Sequence, residues 1–216
     1  MLYDCSECKS RVCMTGTGEA PANCPMRAPG YDEKIRSAYA QKTVCAMENA
    51  AQTACGTKED RDLTPRIKVL IEYMKKMGYK KIGIIFCAMV FSEMDWLSRI
   101  LRKCGFEVVS ACCLNGGTNI TEHGVELPEP AVKPGYDPAC NPIGQARLMN
   151  AQHTEFNIVS SLCAGHDTLA FRYSEAPCSL LSIKDVSMEM CPINALHLYP
   201  KYPELLDPDP IKEQEK

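Results

Sequence analysis

The chain has 216 residues, of which 45% are apolar and 24% charged, and it carries a formal net charge of −3. This composition supports an ordinary hydrophobic core, and the dispersed Lys and Arg residues offer no basic stripe for nucleic acid. No apolar run approaches the roughly 18 to 20 residues that a membrane-spanning helix needs. We therefore expect no nucleic-acid or membrane partner. A small-molecule substrate or an electron-transfer protein is the expected partner, and a homodimer is compatible with the sequence.

Fourteen cysteines make thiol chemistry the most informative feature of the composition. Secreted domains use cysteines for disulfides, but residues 1–5 lack the charged and apolar segments that begin a secretory signal. We therefore expect a cytoplasmic protein whose thiols are reduced and free to bind metal. A disulfide framework is the alternative.

The first four cysteines lie close together in a segment that we call the head. They are Cys5, Cys8, Cys13 and Cys24, and Pro25 follows the last of them. Thiolates with two residues between them form the recurrent clamp for zinc and for iron–sulfur clusters. No histidine is near, and pure thiolate ligation suits either metal. A proline after the last ligand is typical of ferredoxin-type binding, so we expect a [4Fe–4S] cluster here, with structural zinc as the alternative.

The following residues alternate between helical and strand patterns, after a first helix predicted over residues 32–54. A second helix has Thr64 as its N-cap and Pro65 in its first position, and Gly78 ends it. Ser92 and Asp95 form an approximate capping box for a third helix. Further elements are strands over residues 81–86, 106–111, 156–162 and 179–183, and a helix over residues 142–152.

Strands that alternate with helices of this length indicate βαβ units and a parallel sheet. The sequence therefore predicts an α/β fold. We expect a three-layer domain with a mainly parallel sheet of about four strands, preceded by a cysteine-rich metal-binding segment and a helix. The predicted domains are residues 1–58 for the head and its helix, residues 59–202 for the α/β domain, and residues 203–216 for a disordered tail.

A second set of cysteines follows the ends of the predicted strands. They are Cys87 after the first strand, Cys112 and Cys113 after the second, and Cys163 after the third. Because the carboxyl ends of parallel strands share one edge of the sheet, where ligands bind, these thiols are expected to converge. Cys140 joins them from the loop over residues 115–141, whose length is typical of lids and ligand donors. We predict a second metal centre held by Cys87, Cys113, Cys140 and Cys163. The alternative is that each thiol is only a small buried hydrophobic group.

Three further side chains are candidate catalytic groups at the same edge. His166 and Asp167 follow Cys163 after a glycine turn. We predict that His166 lies beside the metal as a proton donor and that Asp167 fixes its tautomer, although Asp167 could instead cap the next helix. Lys184, with Asp185, follows the fourth strand. It is expected either to hold an anionic ligand or to be a solvated strand end.

Several of these residues carry a resemblance that covers nearly the whole chain. The motifs are Cys5-x2-Cys8, Cys24-Pro25, Phe86-Cys87, the run CNPIGQA from Cys140 to Ala146, the run LCAGHD from Leu162 to Asp167, Ala176-Pro177 and Lys184-Asp185. In these motifs the chain resembles the DUF1847 family, prokaryotic proteins catalogued as uncharacterised metal-binding proteins. The resemblance implies metal bound through cysteines and a distribution largely among anaerobes, and it brings no securely attached reaction.

The chain departs from that family pattern after Lys184-Asp185. The pattern has a basic residue next and a His-Asn-Pro run shortly after, where this chain has Val186 and Met190-Cys191-Pro192. The departure weakens the anion-holding role of this edge. It also makes Cys191 a candidate for an additional ligand.

Together these features predict an iron–sulfur protein with two cysteine-ligated centres. The head centre would relay electrons, and the centre at the strand ends would react, in redox or sulfur-handling chemistry on a small molecule. One or two [4Fe–4S] clusters per chain are expected, with zinc as the alternative. The alternative functions are a non-catalytic metal or redox sensor and a zinc-thiolate protein without a redox role.

Overall fold

The computed structural model of the chain describes residues 3–56, 63–125, 135–202 and 206. The chain divides into two compact units, Met1–Leu63 and Thr64–Lys216. The tail predicted over residues 203–216 lies outside the described residues except for Leu206. Within the described ranges, no helix combines the length and the apolar character that crossing a membrane requires.

The first unit contains three helices and one 3-10 turn among its described residues. They are α1 (Val12–Thr15), the 3-10 helix Pro25–Arg27, α2 (Tyr31–Tyr39) and α3 (Lys42–Ala54). The structure corrects the prediction of one helix over residues 32–54. Gln41 has an extended ψ of 127°, which is incompatible with the interior of a helix. One helix therefore ends before Gln41 and a second begins after it. Neither Gly nor Pro marks this break, and the sequence pattern therefore did not show it.

The second unit alternates helices and strands as predicted. Its elements are α4 (Arg66–Met77), β1 (Lys81–Phe86), the 3-10 helix Ala88–Val90, α5 (Phe91–Lys103), β2 (Glu107–Cys112), the 3-10 helix Ile120–His123, α6 (Pro142–Ala151), β3 (Phe156–Ser160), α7 (His166–Tyr173), β4 (Cys178–Ser182) and α8 (Ile193–Leu198).

Two predicted helix starts differ from the structure in detail. Pro65, and not Thr64, occupies the N-cap position of α4. The capping box at Ser92 is absent, because the 3-10 helix Ala88–Val90 leads directly into α5 and Val90 is its N-cap. Gly78 does end α4, with a φ of 75° and an amide that donates to Lys75 and Met74.

The four strands form one parallel sheet in the order β2-β1-β3-β4. Phe86 at the end of β1 is paired with Cys112 in β2 and with Ser160 in β3, so the three strands end at the same level. The chain moves to one side of β1 for β2 and to the other side for β3. This reversal is a topological switch point, the position at which ligands commonly bind to open α/β sheets.

Helices cover both faces of the sheet and confirm the three-layer α/β architecture. Alternate residues of β1, such as Ile84, pack with α4 and α5 on one face, while Ile85 packs with Met149 of α6 and Ala170 of α7 on the other. Five of the six residues of β1 are buried. This double burial explains why β1 is an uninterrupted apolar run.

Candidate metal centres

Four cysteines lie at or near the carboxyl edge of the sheet, and three of them belong to or pack against the core on the face covered by α6 and α7. We call Cys87, Cys113, Cys140 and Cys163 the strand-end thiols. Cys87 and Cys113 are buried among the core residues of this face, and Cys140 packs against them. The amide of Cys87 donates to the carbonyl of Ser160 at 3.1 Å, which ties the end of β1 to the end of β3. The structure therefore brings together residues that are far apart in the sequence.

The adjacent Cys112 and Cys113 lie on opposite faces of the sheet. Cys112 packs against the core under α4 and α5, whereas Cys113 belongs to the core under α6 and α7. Successive side chains of a strand point to opposite faces, so only one of this pair can face the other strand-end thiols. That residue is Cys113.

Two asparagines position Cys140 at the start of α6. The amide of Asn141 donates to the carbonyl of Cys113 at 2.7 Å, and its side chain accepts from the amide of Gly144 at 2.8 Å as the N-cap. The side chain of Asn115 donates to the carbonyl of Asn141 at 3.1 Å. Both ends of the long loop are therefore held beside Cys113, while residues 126–134 of that loop lie outside the described residues.

The pKa values of Cys113 and Cys140 reflect burial and the neighbouring thiols. Burial raises the pKa of Cys113 to about 12; the amide of Ala88, 3.4 Å from Sγ, opposes this, and the thiols of Cys140 and Cys87 add to it. Burial also raises the pKa of Cys140, where a hydrogen bond with Cys113 acts in the opposite direction and the charges of Cys163 and Cys87 add to the rise. Without metal, Cys113 and Cys140 are neutral thiols at pH 7. Metal binding would have to displace their protons.

Lys184 extends toward this group of thiols. Its Nζ donates to Sγ of Cys163 at 3.4 Å. Burial alone would lower the pKa of Lys184, but the hydrogen bond to Cys163 and the charges of Cys87, Cys163 and Cys140 outweigh burial and raise it. The neighbouring Asp185 is bound within its own turn, where its carboxylate accepts from Ser187 at 2.6 Å. Lys184 was expected either to hold an anionic ligand or to be solvated. In the structure it contacts the thiol of Cys163.

His166 and Asp167 do not form the predicted pair. Asp167 Oδ1 accepts from the amides of Gly165 at 3.1 Å and Thr168 at 2.8 Å, so its carboxylate closes the first turn of α7. Nδ1 of His166 is buried and has no hydrogen-bond partner. Asp167 therefore makes the helix-start contacts of the capping alternative, and its carboxylate is not bonded to Nδ1 of His166. The tight turn at Gly165, with a φ of 86°, brings the amides of the turn within reach of the carboxylate.

Sequence reasoning missed Gln145, which lies within the CNPIGQA run. Its fully buried amide donates from Nε2 to the carbonyls of Phe86 at 3.0 Å and Ala111 at 2.7 Å, at the ends of β1 and β2. Its Oε1 has no partner, and in the described part of the chain only this atom and Nδ1 of His166 are buried without one. The sequence held one indication of this role. Gln145 is a polar residue on the buried face of α6, which it shares with Pro142, Ala146 and Met149.

The four head cysteines line a cavity of about 250 Å³ in the first unit. We call Cys5, Cys8, Cys13 and Cys24 the head thiols. The amide of Cys8 donates to the carbonyl of Cys5 at 3.3 Å, so a tight turn holds this pair. A hydrogen bond with Ser10, followed by one from the backbone amide of Arg11, lowers the pKa of Cys8. Cys5 and Cys13 are exposed, unlike the innermost strand-end thiols.

Across the described ranges, no three His, Cys, Asp or Glu side chains are placed to hold a single metal ion as they stand. The head thiols surround an open volume, and the strand-end thiols form a neighbourhood of interacting groups. Cys191, the candidate additional ligand, is exposed. Cys104 packs against the core under α4 and α5, as an ordinary apolar residue does.

The fold and its thiols define a cysteine-rich α/β protein of the three-layer type. The family model described as "Protein of unknown function (DUF1847)" matches residues 24–181. The chain is also 34% identical over 181 residues to uncharacterized protein MJ0455 of Methanocaldococcus jannaschii, an alignment that covers 84% of this chain and 86% of that protein. No solved structure matches the chain. The chain therefore belongs to the DUF1847 family, as its motifs predicted.

Proposed function

We propose that this protein is an iron–sulfur protein with two cysteine-ligated centres, one held by the head thiols and one by the strand-end thiols. The observation that carries the proposal is the grouping of Cys87, Cys113, Cys140 and Cys163. These thiols come from the ends of three parallel strands and the residues just before α6, and the packing of Cys140 against the core that holds Cys87 and Cys113 supports their treatment as one group. Cysteine is a common buried residue, but unrelated core cysteines would not be expected to gather at a topological switch point.

The head offers room for a group larger than a single metal ion. Four thiolates hold zinc at about 2.3 Å. The head thiols, together with six further residues, line a cavity of about 250 Å³. A polyatomic group of iron and sulfide is the thiolate-ligated cofactor that would use such a volume.

The two centres have different surroundings, and from these we infer different roles. When bound, an iron–sulfur cluster supplies one-electron transfer, at a potential set by net charge, hydrogen bonds to sulfur and solvent exposure. The exposed head thiols suit exchange of electrons with a partner protein. The strand-end thiols lie in more buried surroundings, and Gln145 and His166, from the start of α6 and of α7, each keep one buried polar atom without a partner.

The test is purification without oxygen, followed by analysis of iron, zinc and acid-labile sulfide. We expect a brown protein whose visible absorbance bleaches with dithionite and whose iron and sulfide are present in similar amounts. A colourless protein that carries zinc under the same conditions would exclude the iron–sulfur proposal and favour the zinc-thiolate alternative.

A matched pair of variants tests the strand-end ligands. Cys113→Ser should lose about half of the iron, because one of two clusters loses a thiolate. Cys112→Ser is the control, since Cys112 is the adjacent residue but packs on the opposite face of the sheet. Equal iron in both variants would show that Cys113 is only a core residue.

A further inference from the structure

Lys184 is placed to act on more than one thiol of the strand-end group. It follows β4 by two residues, and its Nζ is 3.4 Å from Sγ of Cys163. Its charge also interacts with Cys87 and Cys140. One ammonium group therefore contacts one strand-end thiol directly, and its charge acts on two others.

The carboxylates nearest to Lys184 in the sequence, and nearest to Cys163, are occupied elsewhere. Asp185 accepts from Ser187 Oγ at 2.6 Å and from the amide of Met188 at 3.2 Å. Asp167 accepts from the amides of Gly165 and Thr168. The hydrogen bond that Lys184 makes from Nζ is the one to Cys163. The ammonium group of Lys184 therefore has the sulfur of Cys163 as its hydrogen-bond partner.

Such a charge is needed if all four thiols are deprotonated together. Four thiolates around a divalent ion or an iron–sulfur cluster carry net negative charge, and two of these thiols, Cys87 and Cys113, are buried. Burial in a medium of low polarity disfavours net charge unless an opposite charge is close. Hydrogen bonds and positive charge near the sulfurs also favour the reduced, more negative state of a cluster.

We propose that Lys184 is the counter-charge of the strand-end centre, which stabilises its thiolates and raises the reduction potential of the metal that they hold. The part about potential rests on the proposed iron–sulfur function. The part about thiolates applies to any divalent metal that prefers sulfur. Lys184 acts through its contact with Cys163 and is a positioning residue. This proposed role differs from the anion-holding role that the sequence suggested for Lys184.

The expected effect is limited by solvent. Lys184 is only partly buried, so water screens its charge, and the unscreened Coulomb energy of a close pair would be a large overestimate. A change of about tenfold in metal affinity is the appropriate expectation for a screened hydrogen-bonded pair of this kind.

The first experiment titrates the reduced, metal-free full-length chain with Co²⁺, which needs no iron. All variants carry Cys5→Ser and Cys8→Ser, so the strand-end thiols are the intact set. We expect Lys184→Met to weaken Co²⁺ binding about tenfold, and Lys184→Arg, which keeps the charge, to lie within about threefold of the parent. Lys103→Met is the control, because Lys103 is exposed in the last turn of α5. Circular dichroism checks that each variant is folded.

The second experiment measures the midpoint potential of the iron-loaded protein in the same background. A tenfold loss of stabilisation of the reduced state relative to the oxidised state corresponds to about 59 mV for one electron, so the potential of Lys184→Met should fall by up to that amount. Lys184→Arg should stay near the parent. This readout does not depend on knowing a substrate.

The outcomes separate the two proposals. If the parent binds Co²⁺ in a Lys184-dependent way but purifies with zinc and no iron, the counter-charge stands and the iron–sulfur function falls. If the parent holds iron but its potential and its Co²⁺ affinity are the same in Lys184→Met, the counter-charge is overturned and the iron–sulfur function stands. A parent that binds neither metal overturns both, because the strand-end thiols would then not act as a set.

Discussion

The head and the strand ends each contain four thiols, but different parts of the structure bring the four together. The head thiols lie within residues 5–24, and local turns such as the one between Cys5 and Cys8 position them. The strand-end thiols extend from residue 87 to residue 163, and the pairing of three parallel strands brings them together. A site of the first kind is visible as a motif. A site of the second kind exists only if the whole sheet forms.

The two sets also differ in the pKa of one thiol each. Hydrogen bonding lowers the pKa of Cys8 in the head, whereas burial raises the pKa of Cys113 at the strand ends to about 12. Thiolates are the form that binds metal, so Cys8 is closer to that form than Cys113 is. If the strand-end thiols bind metal as proposed, Cys113 would have to release its proton in buried surroundings, where the positive charge of Lys184 would help.

The largest effect is expected from removing ligands of one set alone. Cys5→Ser with Cys8→Ser should remove about half of the iron and leave the redox signal of the strand-end centre intact, because each set is proposed to bind its own cluster. Iron and sulfide analysis with electron paramagnetic resonance checks this. Cys45→Ser is the control, since Cys45 is an exposed thiol of the same unit. Loss of all iron from folded protein would mean one shared cluster.

The sheet that supports the strand-end set is expected to be sensitive to a single added methyl group. A Cβ at Gly83 in β1 would lie 2.6 Å from Sδ of Met149 and closer still to Oδ1 of Asn157. Overpacking of this kind costs about 1–3 kcal/mol, so Gly83→Ala should lower the free energy of unfolding of the second unit by about 3 kcal/mol. Thermal denaturation measures this change. An unaltered melting temperature would show that Met149 and Asn157 can move aside at little cost.

A smaller effect is expected at the residue that positions Cys140. Asn141→Ala removes the acceptor for the amide of Gly144 and should cost about 1 kcal/mol as a lost N-cap. Because Cys140 is the adjacent residue, iron should be lost faster to a chelator from the strand-end centre. Asn119→Ala is the matched control, since Asn119 caps the 3-10 helix Ile120–His123 in the same loop but adjoins no cysteine. Equal rates in the two variants would remove the positioning role of Asn141.

The smallest effect concerns pH and the opposite edge of the sheet. The amides of Lys81 and Lys80 lower the pKa of Glu155 below its ordinary value of 4.5. The folded state thus prefers the carboxylate, and this stabilisation is present above pH 4.5 and is lost as the pH falls through the lower folded pKa. Glu155→Gln should reduce stability by less than about 1 kcal/mol at pH 7 and by less at pH 3. Urea denaturation at both values checks this, and metal content should not change.

Some elements of this fold follow from local sequence alone. The apolar run of β1 predicted the observed bounds, Lys81–Phe86, because a strand buried on both faces needs an apolar side chain at nearly every position. Gly78 marked the end of α4 because its φ of 75° is one that glycine adopts without strain. The break between α2 and α3 was not predictable in this way, since Ala40 and Gln41 are both compatible with a helix.

The candidate site was predictable in part, for a reason that lies in the topology. The positions of Cys87, Cys113 and Cys163 after successive strands were enough to group them, since parallel strands end at one edge. The role of Gln145 was not accessible, and for Asp167 the sequence left a helix-capping role and a role beside His166 as alternatives. Each outcome depends on which backbone groups are left without partners when the strands and α7 end, and sequence does not show this.

The sequence by itself determined the class of fold, the family and the number of thiols, because hydrophobic periodicity and local motifs are properties of neighbouring residues. Tertiary structure placed Cys112 and Cys113 on opposite faces of the sheet, and it alone decided that Lys184 contacts Cys163. Those choices depend on strand register and on the direction of each side chain at a strand end. Register is set by the packing of the whole sheet, and a shift of one residue would exchange the two cysteines.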